Sequence, residues 1–171
     1  MNRTEKLIAS TGLGIGAVFG ISGSIFSEPV VLQSVLYEIS SIGLVVAAAL
    51  LTVKYIRRNN DLLATGFLVF AIGEAIMTVG IPLGPGAGIH AFAAGMALYV
   101  PALLFISIPK TYPTWTRVTG IAAIIPFGIS ASKVFMGGQI LYTDPLPGIG
   151  YGLLVLTIIG WIWTIMKDEG Q

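Results

Sequence analysis

The chain has 171 residues, of which 55% are apolar, 10% are charged and none is cysteine. Soluble domains carry about 25% charged residues, so nine basic and eight acidic side chains are too few to cover a water-facing surface of this length. This composition excludes an ordinary soluble domain and predicts an all-α integral membrane protein. The lack of cysteine excludes disulfides and thiolate metal sites within this chain.

Six apolar stretches reach the ~20 residues that a helix needs to cross a bilayer. Polar or proline- and glycine-rich residues separate them, and they run over about 7–27, 30–53, 62–82, 87–108, 118–138 and 148–166. The first stretch follows Arg3 and Lys6, as in a signal peptide, but no small-residue cleavage site comes after it, so we expect an uncleaved first span. Residues 1–171 are predicted to form a single transmembrane domain.

The basic residues indicate an orientation. Eight of the nine lie at the two termini or in the second and fourth loops, which share one side of a six-span chain, and only Lys133 lies near the other side. The positive-inside rule therefore predicts cytoplasmic N- and C-termini, and we expect a bacterial or archaeal cytoplasmic membrane. Five aromatic residues near the same side are interpreted as an interfacial belt: Tyr55, Tyr112, Trp115, Trp161 and Trp163.

An internal repeat is suggested by three Thr-Gly pairs at equal intervals of 54 residues, whose glycines are Gly12, Gly66 and Gly120. The residues that follow the first and third pairs also match, as FGISxS at 19–24 and at 127–132. The spacing predicts three parallel-repeated helical hairpins, at about 7–53, 62–108 and 118–166. This architecture resembles that of the acid-resistance membrane proteins and of the urea and amide channels, although no motif of either is present.

Glu74 is the strongest candidate for a functional residue. The repeat register places it where the other two copies have Gly20 and Gly128, on a stripe of small residues that favours close helix packing. We therefore expect the Glu74 side chain to face the bundle interior near mid-membrane. Ionisable groups at that depth are costly and are functional sites by default. The alternative is a structural ion pair, or a protonated carboxyl that is hydrogen-bonded within the bundle.

Four further residues are candidates for binding or proton relay, and all lie in the outer halves of the predicted spans: Glu38, Tyr37, Lys133 and His90. Lys133 could instead extend to the interface. His90 lies on a small-residue face between Gly86 and Ala94, which suits the interior, and could be purely structural. Glu38, Glu74 and His90 match a known set of metal ligands, but their spacing does not support one, so no metal and no cofactor is predicted.

The inner halves of four spans are interpreted as an apolar plug below this polar region, for example residues 97–106 and 153–165. Pro101 and Pro126 lie in that plug on the fourth and fifth spans. Each proline removes a helical hydrogen bond and tends to kink its helix. They are candidate hinges that open the plug, and static kinks are the alternative.

The leading hypothesis for function is a proton- or ion-linked transporter, or a channel-like protein, with an outward-facing polar cavity for an unknown small solute. The alternative is a non-transporting accessory or stress-response protein whose polar interior is structural. A membrane enzyme that acts on a lipid or quinone is a third hypothesis, but no nucleophile–base pair or metal motif supports it. The expected partners are the lipid bilayer, the solute or ion and further copies of the chain, with no nucleic acid.

Overall fold

The structure is a computed structural model that describes residues 1–26, 29–140 and 144–167. Within those ranges it contains helices and no strand. The helices are α1 (Arg3–Ile25), α2 (Val30–Arg57), α3 (Asp61–Gly80), the four-residue α4 (Gly84–Ala87), α5 (Ile89–Ser107), α6 (Thr114–Phe135) and α7 (Pro145–Lys167). All of these except α4 are long and apolar enough to cross a membrane. The prediction of six helices that are long and apolar enough to span a membrane is confirmed.

Polar side chains define where several of these helices begin and end. Asn2 accepts a hydrogen bond from the Glu5 backbone N–H at 2.8 Å, and the Glu5 carboxylate accepts one from the Asn2 N–H at 3.0 Å. This reciprocal cap satisfies donors that the first turn of α1 leaves unpaired. The Arg117 guanidinium donates to the carbonyls of Ser107 and Ile108, at 2.7 and 2.9 Å, and so ties the start of α6 to the end of α5.

The long helices pack in chain order, each against the next, and α1 also contacts α7, so that they form a closed ring. Successive helices run in opposite directions. The starts of α1, α3 and α6 therefore lie at the same end of the ring as the ends of α2, α5 and α7. We call this the basic end, since it carries eight basic residues: Arg3, Lys6, Lys54, Arg57, Arg58, Lys110, Arg117 and Lys167.

Glycine brings the backbones of α1 and α2 into contact. A Cβ atom built on Gly12 would lie 2.6 Å from the Gly43 carbonyl oxygen, and one built on Gly43 would lie 2.8 Å from the Gly12 oxygen. Only a residue without a side chain fits on either side of such a crossing. Gly12, Gly16 and Gly20 recur every four residues along α1, and all three face α2.

The contact between α3 and α5 also depends on glycine, but with a different interval. Gly66, Gly73 and Gly80 recur every seven residues along α3, and a Cβ on any of them would lie within 3.2 Å of atoms of α5 or of Gly88, the residue that precedes it. From the α5 side, a Cβ on Gly95 would lie 2.8 Å from the Gly73 carbonyl oxygen. A seven-residue interval keeps one face of a helix on its partner along the whole contact, so these two helices stay close throughout.

Aromatic side chains fill the interior of the ring. Their contacts run from the basic end toward the opposite end, through Tyr112, Tyr55, Phe67, Trp161, Phe70, Tyr99, Phe127, Tyr151 and Phe92. Neighbouring ring centres in this series lie 4.9–6.5 Å apart, which is the normal range for packed aromatic pairs. Space for a solute along the axis would require some of these rings to move.

The expected interfacial belt is wrong for three of its five members. Tyr55, Tyr112 and Trp161 are buried in the core, and only Trp115 and Trp163 are exposed. The inward orientation has a physical cause, because the hydroxyl groups of Tyr55 and Tyr112 lie 2.7 Å apart and hydrogen-bond to each other. The three rings then pack around one another and around Phe67.

Candidate functional site

The Glu74 carboxyl is enclosed by side chains from three other helices. Its residue is only 2% exposed. The Tyr99 hydroxyl of α5 donates a hydrogen bond to Glu74 Oε1, and the Ser41 hydroxyl of α2 also lies within hydrogen-bonding reach of the carboxyl. The Tyr151 ring of α7 packs against the Tyr99 ring with centres 6.5 Å apart, and Tyr37 of α2 lies near Tyr151. We call these five residues the Glu74 cluster.

Local packing places the Tyr99 hydroxyl against Glu74. Phe70 lies one turn before Glu74 on α3, so the two side chains share a face of the helix. The Tyr99 ring stacks on Phe70 with ring centres 4.9 Å apart and an angle of 15° between the planes. The close approach of Gly73 to Gly95 brings α3 and α5 near enough for this stacking. The phenol hydroxyl therefore reaches the carboxyl because its ring is fixed on Phe70.

No basic side chain in the described part of the chain forms an ion pair with Glu74. Lys133 instead binds Asp144, with 2.9 Å between Nζ and Oδ2, at a partly exposed position. Burial of an unpaired charge is very costly, whereas a buried neutral acid needs only hydrogen bonds. The surroundings of Glu74 therefore favour its neutral, protonated form.

Of the other sequence-predicted candidates, the structure places only Tyr37 in the cluster. Glu38 is half-buried on α2, and no hydrogen bond or ion pair joins it to Glu74 among the described residues. His90 is exposed, which corrects the expectation that it faces the interior. The reason is the contact of α3 with the start of α5, where a Cβ on Gly80 would lie 2.9 Å from both the Gly88 carbonyl oxygen and Ala91 Cβ. Those residues face α3, and His90 faces away.

The two prolines flank a contact next to the cluster. Pro101 is half-buried two residues after Tyr99, and Pro126 is buried directly before Phe127. The rings of Tyr99 and Phe127 pack edge to face with centres 5.0 Å apart. A bend at either proline would therefore act directly on the Tyr99 ring, whose hydroxyl binds Glu74.

The chemistry of the cluster is limited to hydrogen bonding and proton binding. It consists of one carboxyl, one aliphatic hydroxyl and three phenols, next to the Met77 sulfur, which accepts a hydrogen bond from the Tyr151 hydroxyl at 3.3 Å. No group of three or more potential metal ligands occurs within residues 1–26, 29–140 and 144–167. A buried carboxyl that exchanges one proton is the simplest chemistry for such a set.

Three members of the cluster, Ser41, Tyr99 and Tyr151, are absent from the sequence-predicted site. Tyr99 lies within residues 97–106, which were interpreted as apolar. A signal for it exists in the sequence, because tyrosine in membrane spans concentrates at the interfaces, whereas Tyr99 lies near the middle of its span. A buried tyrosine hydroxyl usually needs a hydrogen-bond partner, and Glu74 provides it.

Neither a family model, nor a characterised protein, nor a solved structure matches the chain. The geometry of the Glu74 cluster is therefore the basis for a functional proposal.

Proposed function

We propose that this protein is a proton- or ion-linked transporter, or a channel-like protein, for a small solute, and that Glu74 is the group that binds and releases the proton. One observation carries the proposal. A single carboxyl lies inside a ring of six apolar helices, has hydroxyl partners from two of them, and has no basic partner among the described residues. Ionisable residues placed in this way line proton relays in many membrane proteins.

The coupling follows from the cost of charge in this environment. When Glu74 loses its proton, the carboxylate needs water, a cation or more hydrogen bonds than Tyr99 and Ser41 donate. The deprotonated state therefore favours a different arrangement of the surrounding helices, and the protonated state favours the closed one. An equilibrium of two arrangements that is biased by one proton is the requirement for proton-linked transport.

Opening of the ring requires the aromatic residues beside Glu74 to move. In the present arrangement Glu74 is closed off from solvent, so the outward-facing cavity is proposed for a second conformation. Pro101 and Pro126 are the proposed hinges. Since they adjoin Tyr99 and Phe127, bending at either would separate those rings and expose the carboxyl.

The architecture proposed with this function is a threefold repeat of hairpins. Each Thr-Gly glycine is buried. A Cβ there would meet the following span at Ala47 for Gly12 and at Ile106 for Gly66, whereas at Gly120 the nearest atom would be Ser107 Oγ of the preceding span, and Thr157 of the following span would lie 3.4 Å away. The contacts of the first two glycines support the repeat, in which only the second copy has a carboxyl in place of glycine. Binding sites often form where such repeats meet. We also propose that the basic end faces the cytoplasm.

The proposal is tested by proton binding and proton flux. In proteoliposomes with an imposed pH gradient and an internal pH-sensitive dye, we expect proton movement for the wild type and its loss in Glu74→Gln, which keeps the volume but cannot ionise. Asp61→Asn is the matched control, because it makes the same chemical change on the exposed first turn of α3. Infrared difference spectra across the pH range should show a protonated carboxyl band that is missing in Glu74→Gln.

The structural alternative is favoured by the filled aromatic interior and by the hydrogen bonds that Glu74 already has. Glu74→Leu separates the two hypotheses, since a carboxyl with only a packing role can often be replaced by an apolar side chain. A folded Glu74→Leu protein that retains the wild-type proton flux would refute the transport proposal. Loss of flux in this folded variant, with Asp61→Asn unaffected, supports it.

A further inference from the structure

A row of hydroxyl groups leads toward Glu74 from the end of the ring opposite the basic end. Ser24 lies in the last turn of α1 at that end and is exposed. Tyr37 of α2 and Tyr151 of α7 are half-buried, whereas Glu74 itself is closed off from solvent. The exposure of these groups thus falls stepwise from the surface to the carboxyl, as a route for an entering proton requires.

Packing between α1 and α2 fixes the outer part of this row. A Cβ atom on Gly23 would lie 2.8 Å from Tyr37 Cε1, so the phenol ring lies directly against the backbone of α1. Gln33, one turn earlier on α2, holds the two helices together there through a hydrogen bond of 3.1 Å from its amide to the Gly23 carbonyl. The Tyr37 hydroxyl consequently lies 3.3 Å from Ser24 Oγ, and either hydroxyl can be the donor in this bond. A relay needs that freedom, because each of its hydroxyls must both accept and release a proton.

The Tyr151 hydroxyl lies near Glu74 but is bonded to a weak acceptor. It donates to Met77 Sδ at 3.3 Å, and a thioether sulfur accepts hydrogen bonds only weakly. Met77 lies three residues after Glu74 on α3, so both side chains are on the same face of that helix. The Tyr151 ring also packs on the ring of Tyr99, whose hydroxyl donates to the carboxyl. The Tyr151 hydroxyl can therefore turn from the sulfur toward an ionised Glu74, which is the stronger acceptor.

We propose that the proton reaches Glu74 from the end opposite the basic end, through the hydroxyls of Ser24, Tyr37 and Tyr151. The two tyrosines lie near each other and so join the outer and inner parts of the row. A hydronium ion at the open end gives a proton to Ser24 Oγ, each hydroxyl passes its own hydrogen to the next, and Tyr151 gives the last one to the Glu74 carboxylate. Every hydroxyl gains one proton and loses one, so the net change is one proton moved from water to Glu74.

This inference rests on the proposed function for the role of Glu74 as the proton-binding group, and it adds the side and the residues through which the proton arrives. Exchange of the carboxyl hydrogen for deuterium tests it without a proton gradient. Purified full-length protein is mixed rapidly with D2O near neutral pH, where exposed carboxyls are ionised. The infrared carbonyl band of the protonated carboxyl shifts as its hydrogen is replaced, and the absence of this band in Glu74→Gln assigns it.

Tyr37→Phe and Tyr151→Phe each keep the ring and remove only the hydroxyl. We expect either change to slow the exchange about a hundredfold, the lower end of what a positioned proton-transfer group contributes. Tyr112→Phe is the matched control, because it removes a buried phenol hydroxyl at the basic end, and its exchange should be as fast as in the wild type.

A thiol reagent tests the end from which the proton comes. The chain has no cysteine, so Ser24→Cys carries a single thiol at the proposed entrance. Ile25→Cys carries one at the neighbouring position, which is also exposed. A bulky group attached to the thiol of Ser24→Cys should slow the exchange, and the same group attached to Ile25→Cys should not.

Unchanged exchange in either Tyr37→Phe or Tyr151→Phe, equal slowing in Tyr112→Phe, or equal exchange in the two labelled variants would overturn the route. Its failure is distinguishable from failure of the transport proposal. Loss of proton flux in Glu74→Gln together with unchanged exchange in Tyr37→Phe would refute the route alone. Slow exchange in both tyrosine variants together with no proton flux in the wild type would support the route and refute transport.

Discussion

The α1/α2 and α3/α5 helix pairs each contain a Thr-Gly dipeptide in their first helix and a close glycine crossing, but their polar contacts differ. In α1/α2, separate side chains bind backbone carbonyls of the other helix. The Ser40 hydroxyl donates to the Gly16 carbonyl at 2.7 Å, and the Gln33 amide donates to the Gly23 carbonyl at 3.1 Å. Those carbonyl groups already accept hydrogen bonds within their own helix. Each side-chain contact therefore adds only one modest hydrogen bond.

In α3/α5 the polar contact is concentrated in one place. Tyr99 donates to the Glu74 carboxyl, and both residues are buried. Glycines at intervals of seven residues hold the two helices together on either side of this bond. A buried carboxyl that loses one of its few hydrogen-bond donors lowers the stability more than the loss of one weak contact from a set does. The stability of the α3/α5 pair therefore depends on a few residues, whereas that of the α1/α2 pair is distributed over several separate contacts.

Replacement of Tyr99 should give the largest effect. Tyr99→Ala removes a fully buried ring and the hydroxyl that donates to Glu74 Oε1, which leaves Ser41 as the remaining hydroxyl partner of the carboxyl, so we expect a loss of about 3–5 kcal/mol in the free energy of unfolding. Tyr37→Ala in α1/α2 should cost clearly less, because Tyr37 is only half-buried. Reversible unfolding in mixed dodecyl sulfate micelles measures both. Equal losses of unfolding free energy for the two variants would show that α1/α2 and α3/α5 do not differ in how their stability is distributed.

Substitution at the α3/α5 crossing should have the next largest effect. The methyl group of Gly95→Ala would lie 2.8 Å from the Gly73 carbonyl oxygen, which cannot move without moving α3, although the nearby Met77 side chain can rotate away. We expect a loss of about 1–3 kcal/mol in the same unfolding assay. Gly14→Ala is the matched control, because nothing lies within 4 Å of its Cβ position. If Gly95→Ala leaves the free energy of unfolding unchanged, the backbones of α3 and α5 do not cross as closely as described.

The smallest effect is expected from a single contact of α1/α2. Ser40→Ala removes one hydroxyl bond to the Gly16 carbonyl, and interhelical hydrogen bonds in membranes contribute about 0.6 kcal/mol on average. Ser22→Ala serves as the reference, since its hydroxyl bonds only the Val18 carbonyl of its own helix. If Ser40→Ala lowers the free energy of unfolding as much as Gly95→Ala does, the stability of the α1/α2 pair is not distributed over several weak contacts.

The helices could be predicted from sequence because each one is specified by the residues within it. Twenty apolar residues in succession specify a membrane span whatever the rest of the chain does, and the six long helices accordingly follow the apolar stretches. The interior position of Glu74 could also be predicted, because the interval of 54 residues aligns it with Gly20 and Gly128 on the stripe of small residues. Both inferences need only the pattern of residues along the chain.

The partners of Glu74 could not be predicted in this way, because they depend on contacts between helices. His90 and Tyr99 both lie on α5, but the way α5 packs on α3 turns Tyr99 inward and His90 outward. Tyr55, Tyr112 and Trp161 have the composition of an interfacial belt, and only their mutual packing shows that they belong to the core. Which side of a helix meets its neighbour is decided by all the helices together.

The position of Trp161 has a consequence for how the protein is made. Its ring contacts Phe67 and Phe70 of α3, and Tyr151 of the same helix belongs to the Glu74 cluster and packs against the Tyr99 ring. Both residues belong to α7, which leaves the ribosome after the other spans. While synthesis continues, α3 and α5 can already pair, but their inner rings still face lipid or the insertion machinery. Co-translational assembly of the core is therefore completed only when α7 enters the membrane and closes the ring against α1.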